Sequence, residues 1–360
     1  MEPNNDALVK TLSASIRSAI LLPSAGSLEP ITEVLATFAV RRHRVGPLLH
    51  LACQGSEDIF AEEAALSILQ SSYRQNCLRN LHQQAVKKRL SDLLLSHSVP
   101  FSFLKGDGLA EQLYDDPTVR LSKDVDVLIP SDCLQLVIRI MRKNGYMYKP
   151  YTVRRKKIFE KMRQNMDAKI FKDLAFIDPI FQVPIELHVR LFQIEPNNLT
   201  NDFNEAIKLT KNPSIYNGFY CLYLILHGAN ARWQRLKWVI DLSILARKMR
   251  LQSRLEMMSI AKSYNCEIAV AASLLMTEAI FPGSLDDDWQ MLLGSYRQDK
   301  RVHHIKELFY QTLKARDLAI PRRSVREFIL PDNVDFIFPG KISLLERFFV
   351  RSIASLSIRI

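Results

Sequence analysis

The chain has 360 residues, a formal net charge of +11, 48% hydrophobic residues and 24% charged residues. That balance is globular, with enough length for two or three subdomains, and no apolar run approaches the ~20 residues of a membrane helix. Five scattered cysteines (Cys53, Cys77, Cys133, Cys221, Cys266) with no Cys-x-x-Cys exclude a zinc ribbon and a disulfide framework. The N-terminal MEPNNDALVK lacks the basic-then-apolar order of a secretory signal, so a cytoplasmic protein is expected.

Taken in order, residues 1–98 predict a helical region. An amphipathic helix over 7–22 ends at Pro23, helices follow over 31–40 and 47–53, and a long one spans 62–98 with Leu81, Val86, Leu90, Leu93 and Leu94 at helical spacing. Residues 99–192 predict a small mixed sheet with strands at 100–105, 124–129, 169–177 and 183–191. Helices fall at 107–114 and 134–144, the second capped by Ser131 and Asp132 and ended by Gly145. Asp178-Pro179 joins the last two strands as a hairpin. Residues 193–290 return to helix (202–209, 216–230, 236–249, 253–264, 267–279), and 291–360 form a helical tail with a helix over 296–317 and an amphipathic one near 344–353. The fold class is α+β, a small sheet core flanked by helical regions on both sides.

The chemistry concentrates at 99–130. An apolar strand runs into Lys105-Gly106-Asp107-Gly108, and Arg120-Leu121-Ser122-Lys123-Asp124-Val125-Asp126 leads into a second strand. Strand residues i and i+2 share a face, so Asp124 and Asp126 lie about 7 Å apart and repel unless a cation sits between them. Carboxylate pairs of this kind, together with substrate phosphates, hold Mg²⁺. The segment 184–192 alternates strictly, with Ile185, Leu187, Val189 and Leu191 on one face and Glu186, His188 and Arg190 on the other. Glu186 would complete a three-carboxylate site. Basic clusters at Arg41-Arg42-His43-Arg44, at Arg154-Arg155-Lys156-Lys157 with Lys161 and Arg163, and at Arg322-Arg323 with Arg326 favour polyanionic partners.

The run Leu104-Lys105-Gly106, Leu113-Tyr114, Pro117, Arg120-x-Ser122-x-Asp124-x-Asp126 resembles the nucleotidyltransferases of the DNA polymerase beta superfamily, and among them the uncharacterised nucleotidyltransferase family. More distantly it is similar to the abortive-infection nucleotidyltransferase toxins. The resemblance continues through Ile185-Glu186-Leu187-His188, Leu226-His227-Gly228, Arg232-Trp233, Leu236-Lys237-Trp238 and Asp241. The chain departs from the superfamily at Gly106-Asp107-Gly108, where Gly-Ser or Gly-Gly is usual, and at Asn230-Ala231.

The resemblance implies transfer of a nucleoside monophosphate from an NTP, such as ATP, to a hydroxyl acceptor, with Asp124, Asp126 and Glu186 as catalytic and metal-binding residues and two Mg²⁺ ions as cofactor. Lys105, Gly106, Gly108, Arg120, Ser122 and His188 would bind the nucleotide. The acceptor is a small molecule, a protein or an RNA, and no membrane partner is expected. A catalytically silent nucleotide- or partner-binding protein and a growth-arresting toxin acting on RNA or protein are the alternatives.

Overall fold

The computed structural model describes residues 5–18, 28–55, 59–149, 172–193 and 195–315. Among them are thirteen α-helices and one five-stranded sheet, a mostly helical α+β architecture as the sequence predicts. No helix among the described residues is long and apolar enough to cross a membrane. The basic runs beginning at Arg154 and Arg322 and the amphipathic stretch near 344–353 lie outside the described residues.

Four helices precede the sheet: α1 (Asn5–Ile16), α2 (Glu33–Phe38), α3 (Gly46–Gly55) and α4 (Glu63–Leu95). Thr32 caps α2 by accepting from the Leu35 N–H, and α2 continues as a π turn, Ala39–His43, that ends at Arg44 in the left-handed region (φ 58°). The sheet region runs β1 (Ser102–Phe103), α5 (Asp107–Tyr114), β2 (Val125–Leu128), α6 (Leu134–Lys143), β3 (Met147–Tyr148), β4 (Asp173–Ile177), β5 (Pro184–His188). Ser131 and Asp132 form a 3₁₀ turn before α6 rather than capping it through a side chain. Then come α7 (Leu199–Ile207), α8 (Gly218–Asn230), α9 (Leu236–Lys248), α10 (Leu251–Ser263), α11 (Glu267–Ile280), α12 (Asp287–Leu292) and α13 (Lys300–Lys314).

The strand order is β1-β2-β5-β4-β3. All neighbours are antiparallel except β2 and β5, which run parallel with Asp126 opposite Glu186 and Leu128 opposite His188. Because side chains alternate along a strand, Val125, Val127, Ile185 and Leu187 share one face. There they pack on Val86, Leu90 and Leu94 of α4 and Val137, Ile138 and Met141 of α6. Asp126, Glu186 and His188 take the opposite face. That side belongs to the second core, built mainly from the helical regions and including Leu104, Leu128, Tyr220, Tyr223 and Leu226. The sheet therefore separates a dry core from a face on which charges meet the C-terminal helices.

Helix α4 departs from its apolar pattern. Leu81 is 63% exposed, and the buried stripe in its middle is Asn76, Asn80, Gln83 and Lys87. Each of the four donates to a main-chain carbonyl: Asn76 to Thr118, Asn80 to Pro117, Gln83 to Asp124 and Lys87 to Lys105. The neighbour of this stretch is the irregular chain leading to β2, whose carbonyls need donors once buried. An apolar stripe there would leave them unsatisfied.

Candidate active site

Asp126 is the centre of the charged face. It is 6% exposed. His188 Nε2 lies 3.0 Å from its Oδ1, and Lys105 Nζ lies 3.3 Å from its Oδ2. Burial alone would raise the Asp126 pKa, but Lys105 and the His188 hydrogen bond win and hold it well below the usual carboxylate range. His188 Nε2 is also 3.5 Å from Glu186 Oε2, and its Nδ1 is 3.8 Å from Asp173 Oδ2. Burial and Lys172 oppose protonation of His188, yet the bonds to Asp126 and Glu186 raise its pKa.

Asp126, Glu186 and His188 bring one ligand atom each to within 4.8 Å of one another, close enough to hold a metal ion. The expected trio was Asp124, Asp126 and Glu186. Asp124 stands just before β2 and outside this tight group, but near enough to feel it. Its pKa is raised by burial first and by the charges of Asp126 and Glu186. Three carboxylates and an imidazole on one face, with two carboxylates in register across a parallel strand pair, have the donor set of a divalent-cation site. His188 is a member that the alternation of 184–192 placed on the right face but did not assign to the metal group.

The Lys105–Gly108 turn lies beside this face. Gly106 has φ 89° and ψ −138°, a conformation open to glycine at little cost. It precedes the first turn of α5, and no side chain caps that helix. Lys87 braces the turn from beneath, donating to the Lys105 carbonyl (3.2 Å) and pairing with Asp107. Gly108 serves close approach: a Cβ there would stand 2.8 Å from Asn212 Oδ1. Ser122 donates to the Asp124 carbonyl at 3.2 Å and shapes the lead-in to β2.

Arg120 reaches in the other direction. Its Nε donates to both carboxylate oxygens of Asp241 on α9, at 2.9 and 3.1 Å, and the Tyr114 hydroxyl donates to the same carboxylate at 2.8 Å. Lys237, one turn earlier on α9, is buried and donates to the Leu121 carbonyl at 2.7 Å. Burial foremost, then the Arg120 charge, pushes the Lys237 pKa well down. Helix α9 thus grips the segment 120–121 from one side as α4 grips 117–124 from the other. Sequence reasoning left Asp241 open and gave Lys237 no role; the Trp-x-x-Asp spacing on a helix was the available signal.

Helix α8 closes the charged face. The Tyr220 hydroxyl donates to the Leu104 carbonyl at 2.6 Å, and His227 Nε2 lies 3.3 Å from Lys105 Nζ. Burial and the Lys105 charge keep the His227 pKa well below its ordinary value, so the ring is a neutral neighbour to the ammonium. Lys105, His227, Arg120 and Asp241 border a small cavity walled by Leu109, Leu113, Trp233 and Trp238, with room for a few waters rather than a nucleotide.

No curated protein and no solved structure matches the chain. The model of one protein family, described as uncharacterised nucleotidyltransferases, matches residues 33–282, a span that holds the sheet, both helical grips and every residue of the charged face. The chain belongs to that family of nucleotidyltransferases.

Proposed function

We propose that the protein transfers a nucleoside monophosphate from an NTP to a hydroxyl acceptor in an Mg²⁺-dependent reaction. The observation that carries this reading is Asp126 in register with Glu186 on adjacent parallel strands, with Asp124 two residues upstream and the Gly106 turn beside them. The residues fit a divalent cation: Asp126, Glu186 and His188 already converge, and Asp124 is close enough to share charge with them. Bound there, Mg²⁺, as one ion or two, would neutralise phosphate charge and make the acceptor hydroxyl more acidic.

The chain's own groups do the rest. The uncapped N–H groups at the start of α5, reached through Gly106, suit the phosphate oxygens of the NTP. Lys105 stands between Asp126 and His227, where its ammonium neutralises Asp126 and is within reach of the turn. His188 orients Asp126 and Glu186 by hydrogen bonding. Arg120, through Asp241, and Ser122 fix the strand lead-in that aims Asp124. In the transfer the acceptor oxygen bonds to the α-phosphorus, the bridging α–β bond breaks, and pyrophosphate leaves with that electron pair. The acceptor proton passes to the carboxylate face and on to water.

The test is incubation with each radiolabelled NTP, Mg²⁺ and cell extract, with the label traced to its acceptor. The Asp126→Asn variant keeps a hydrogen-bonding side chain against His188 but loses the charge. Checked for a native circular dichroism spectrum, it should leave the acceptor unlabelled. Labelling by the variant at the wild-type rate would refute the site.

A further inference from the structure

His188 stands on the middle strand of three. β5 lies between β2 and β4, with Leu128 beside His188 on one flank and Asp173 directly opposite it on the other. Opposed residues share a face, so Asp173 joins the charged side of the sheet. Three carboxylates therefore surround the ring: Nε2 is 3.0 Å from Asp126 Oδ1 and 3.5 Å from Glu186 Oε2, and Nδ1 is 3.8 Å from Asp173 Oδ2. The residue is 1% exposed, and its Nδ1 has no hydrogen-bond partner among the described residues.

A neutral imidazole carries one proton, and neither placement suits this cage unaided. With the proton on Nε2, the Nδ1 lone pair faces the Asp173 carboxylate. With the proton on Nδ1, the ring meets Asp173 favourably, but the Nε2 lone pair faces Asp126 and Glu186. A cation between Nε2 and those two carboxylates resolves the second case. A second proton on the ring is the rival solution, and it occupies the lone pair that a metal ion would take. The spacing suits an ion, because neighbouring ligands of an octahedral cation bound at about 2.1 Å stand about 3.0 Å apart.

We infer that His188 is a metal ligand through Nε2, oriented by Asp173 through Nδ1, and that this nitrogen makes the site prefer Mn²⁺ to Mg²⁺. The inference rests on the nucleotidyltransferase reading for the use of the ion, not for its binding. Oxygen ligands suit Mg²⁺ and Mn²⁺ alike, whereas imidazole suits transition ions and is a poor partner for Mg²⁺. No cysteine belongs to the group, so nothing in it draws a thiolate-seeking ion. Two carboxylates and one imidazole make an oxygen-rich set with a single nitrogen, which Mn²⁺ accepts. Mg²⁺ fills the same place when it is in large excess. Asp173 is a positioning residue: metal-binding histidines give their other N–H to a carboxylate, which fixes the tautomer and the ring. At 3.8 Å that contact is longer than a hydrogen bond, and side-chain movement of ~1 Å closes it.

The probe is Mn²⁺ alone, without nucleotide, on the full chain. Electron spin echo envelope modulation of the bound ion should show a histidine nitrogen coupling, which changes when histidine is labelled with the heavier nitrogen isotope. Competition between Mn²⁺ and Mg²⁺, followed through the signal of free Mn²⁺, should give a preference for Mn²⁺ of about tenfold or more. His188→Gln, checked for native circular dichroism, should lose the coupling and narrow the preference, with Mn²⁺ affinity falling and Mg²⁺ affinity little changed. Asp173→Ala should keep the coupling, weaken Mn²⁺ binding about tenfold and narrow the preference in the same direction. Bound Mn²⁺ without nitrogen coupling in the wild type would overturn the inference, even where His188→Gln does not fold. A preference below about tenfold, a preference that His188→Gln leaves unchanged, or a wild-type protein that binds no Mn²⁺ would also overturn it. Wild-type Mn²⁺ affinity in Asp173→Ala would remove the positioning role. Mn²⁺ held with the nitrogen coupling by a protein that labels no acceptor from any NTP would sink the transferase reading and leave the metal assignment standing. Transfer in Mg²⁺ by a protein whose bound Mn²⁺ shows no coupling would do the reverse.

Discussion

Replacing Asp241 with alanine should strip the segment before β2 of its counter-charge. The Arg120 side chain is 4% exposed and that of Asp241 is 12% exposed, so water cannot substitute for the carboxylate. Removing one partner of a buried pair costs about 3–5 kcal/mol, because the other charge stays behind unpaired. The Tyr114 hydroxyl loses its acceptor as well, a penalty of about 1–3 kcal/mol where no water enters. Some relaxation around the new cavity offsets these, and the net expectation is a loss of about 4 kcal/mol. Urea denaturation followed by tryptophan fluorescence reads it. The companion variant Arg120→Met with Asp241→Leu removes both charges and should recover most of the loss. A single-variant loss under about 1 kcal/mol, the range of exposed pairs, would show that the ion pair does not brace the site.

Gly106→Ala should lose about 1–3 kcal/mol through its backbone conformation, read by thermal denaturation; an unchanged melting temperature would mean that the turn relaxes freely. Glu186→Gln should weaken Mn²⁺ binding by at least about tenfold, since one carboxylate charge leaves the proposed cation site, and electron paramagnetic resonance of free Mn²⁺ measures it. His43 is held neutral, its pKa pushed down to about 3 by burial first and then by Arg42 and Arg235, while its Nδ1 accepts from the Leu236 N–H. As pH falls below 6.5 the unfolded state takes that proton first, so stability drops, by about 2 kcal/mol at pH 5 at 1.36 kcal/mol per pH unit. His188, with its pKa raised, changes stability only above 6.5 and leaves this window undisturbed. The urea midpoint of His43→Gln should be flatter over pH 5–6.5 than that of the wild type, and parallel slopes would refute the assignment.

The charged face was legible because strand alternation is strict. Ile185, Leu187 and Val189 had to turn to one side, which sent Glu186 and His188 to the other, and Asp-x-Asp obeyed the same rule. What alternation cannot carry is the partner. Nothing local tells β5 to lie parallel to β2 with Glu186 opposite Asp126, and so nothing local singled out the bond from His188 to Asp126. Helix α4 misled for a related reason. Leu81 fits an apolar stripe, but the neighbour of that stretch is bare backbone, which selects Asn76, Asn80, Gln83 and Lys87 instead. Arg120 looked outward to a phosphate because guanidinium suits phosphate; its real neighbour, Asp241, is 121 positions away in sequence. β3, with two residues, and α12, with six, are too short for periodicity to register.

The insertion of β5 between β2 and β4 governs the order of folding. β1 and β2 meet early, as sequence neighbours, and β4 and β5 form a local hairpin. The contact that aligns Asp126 with Glu186 closes a loop of some sixty residues, so it comes after both and is slowed by the entropy of that closure. Until the hairpin docks, β2 presents a bare edge with an aspartate on it, and a growing chain lacks the facing Glu186 and His188. The charged face thus comes together in one step, when the two halves of the sheet join, and a truncation ahead of His188 would leave a chain able to form its N-terminal helices yet unable to bring Asp126, Glu186 and His188 together.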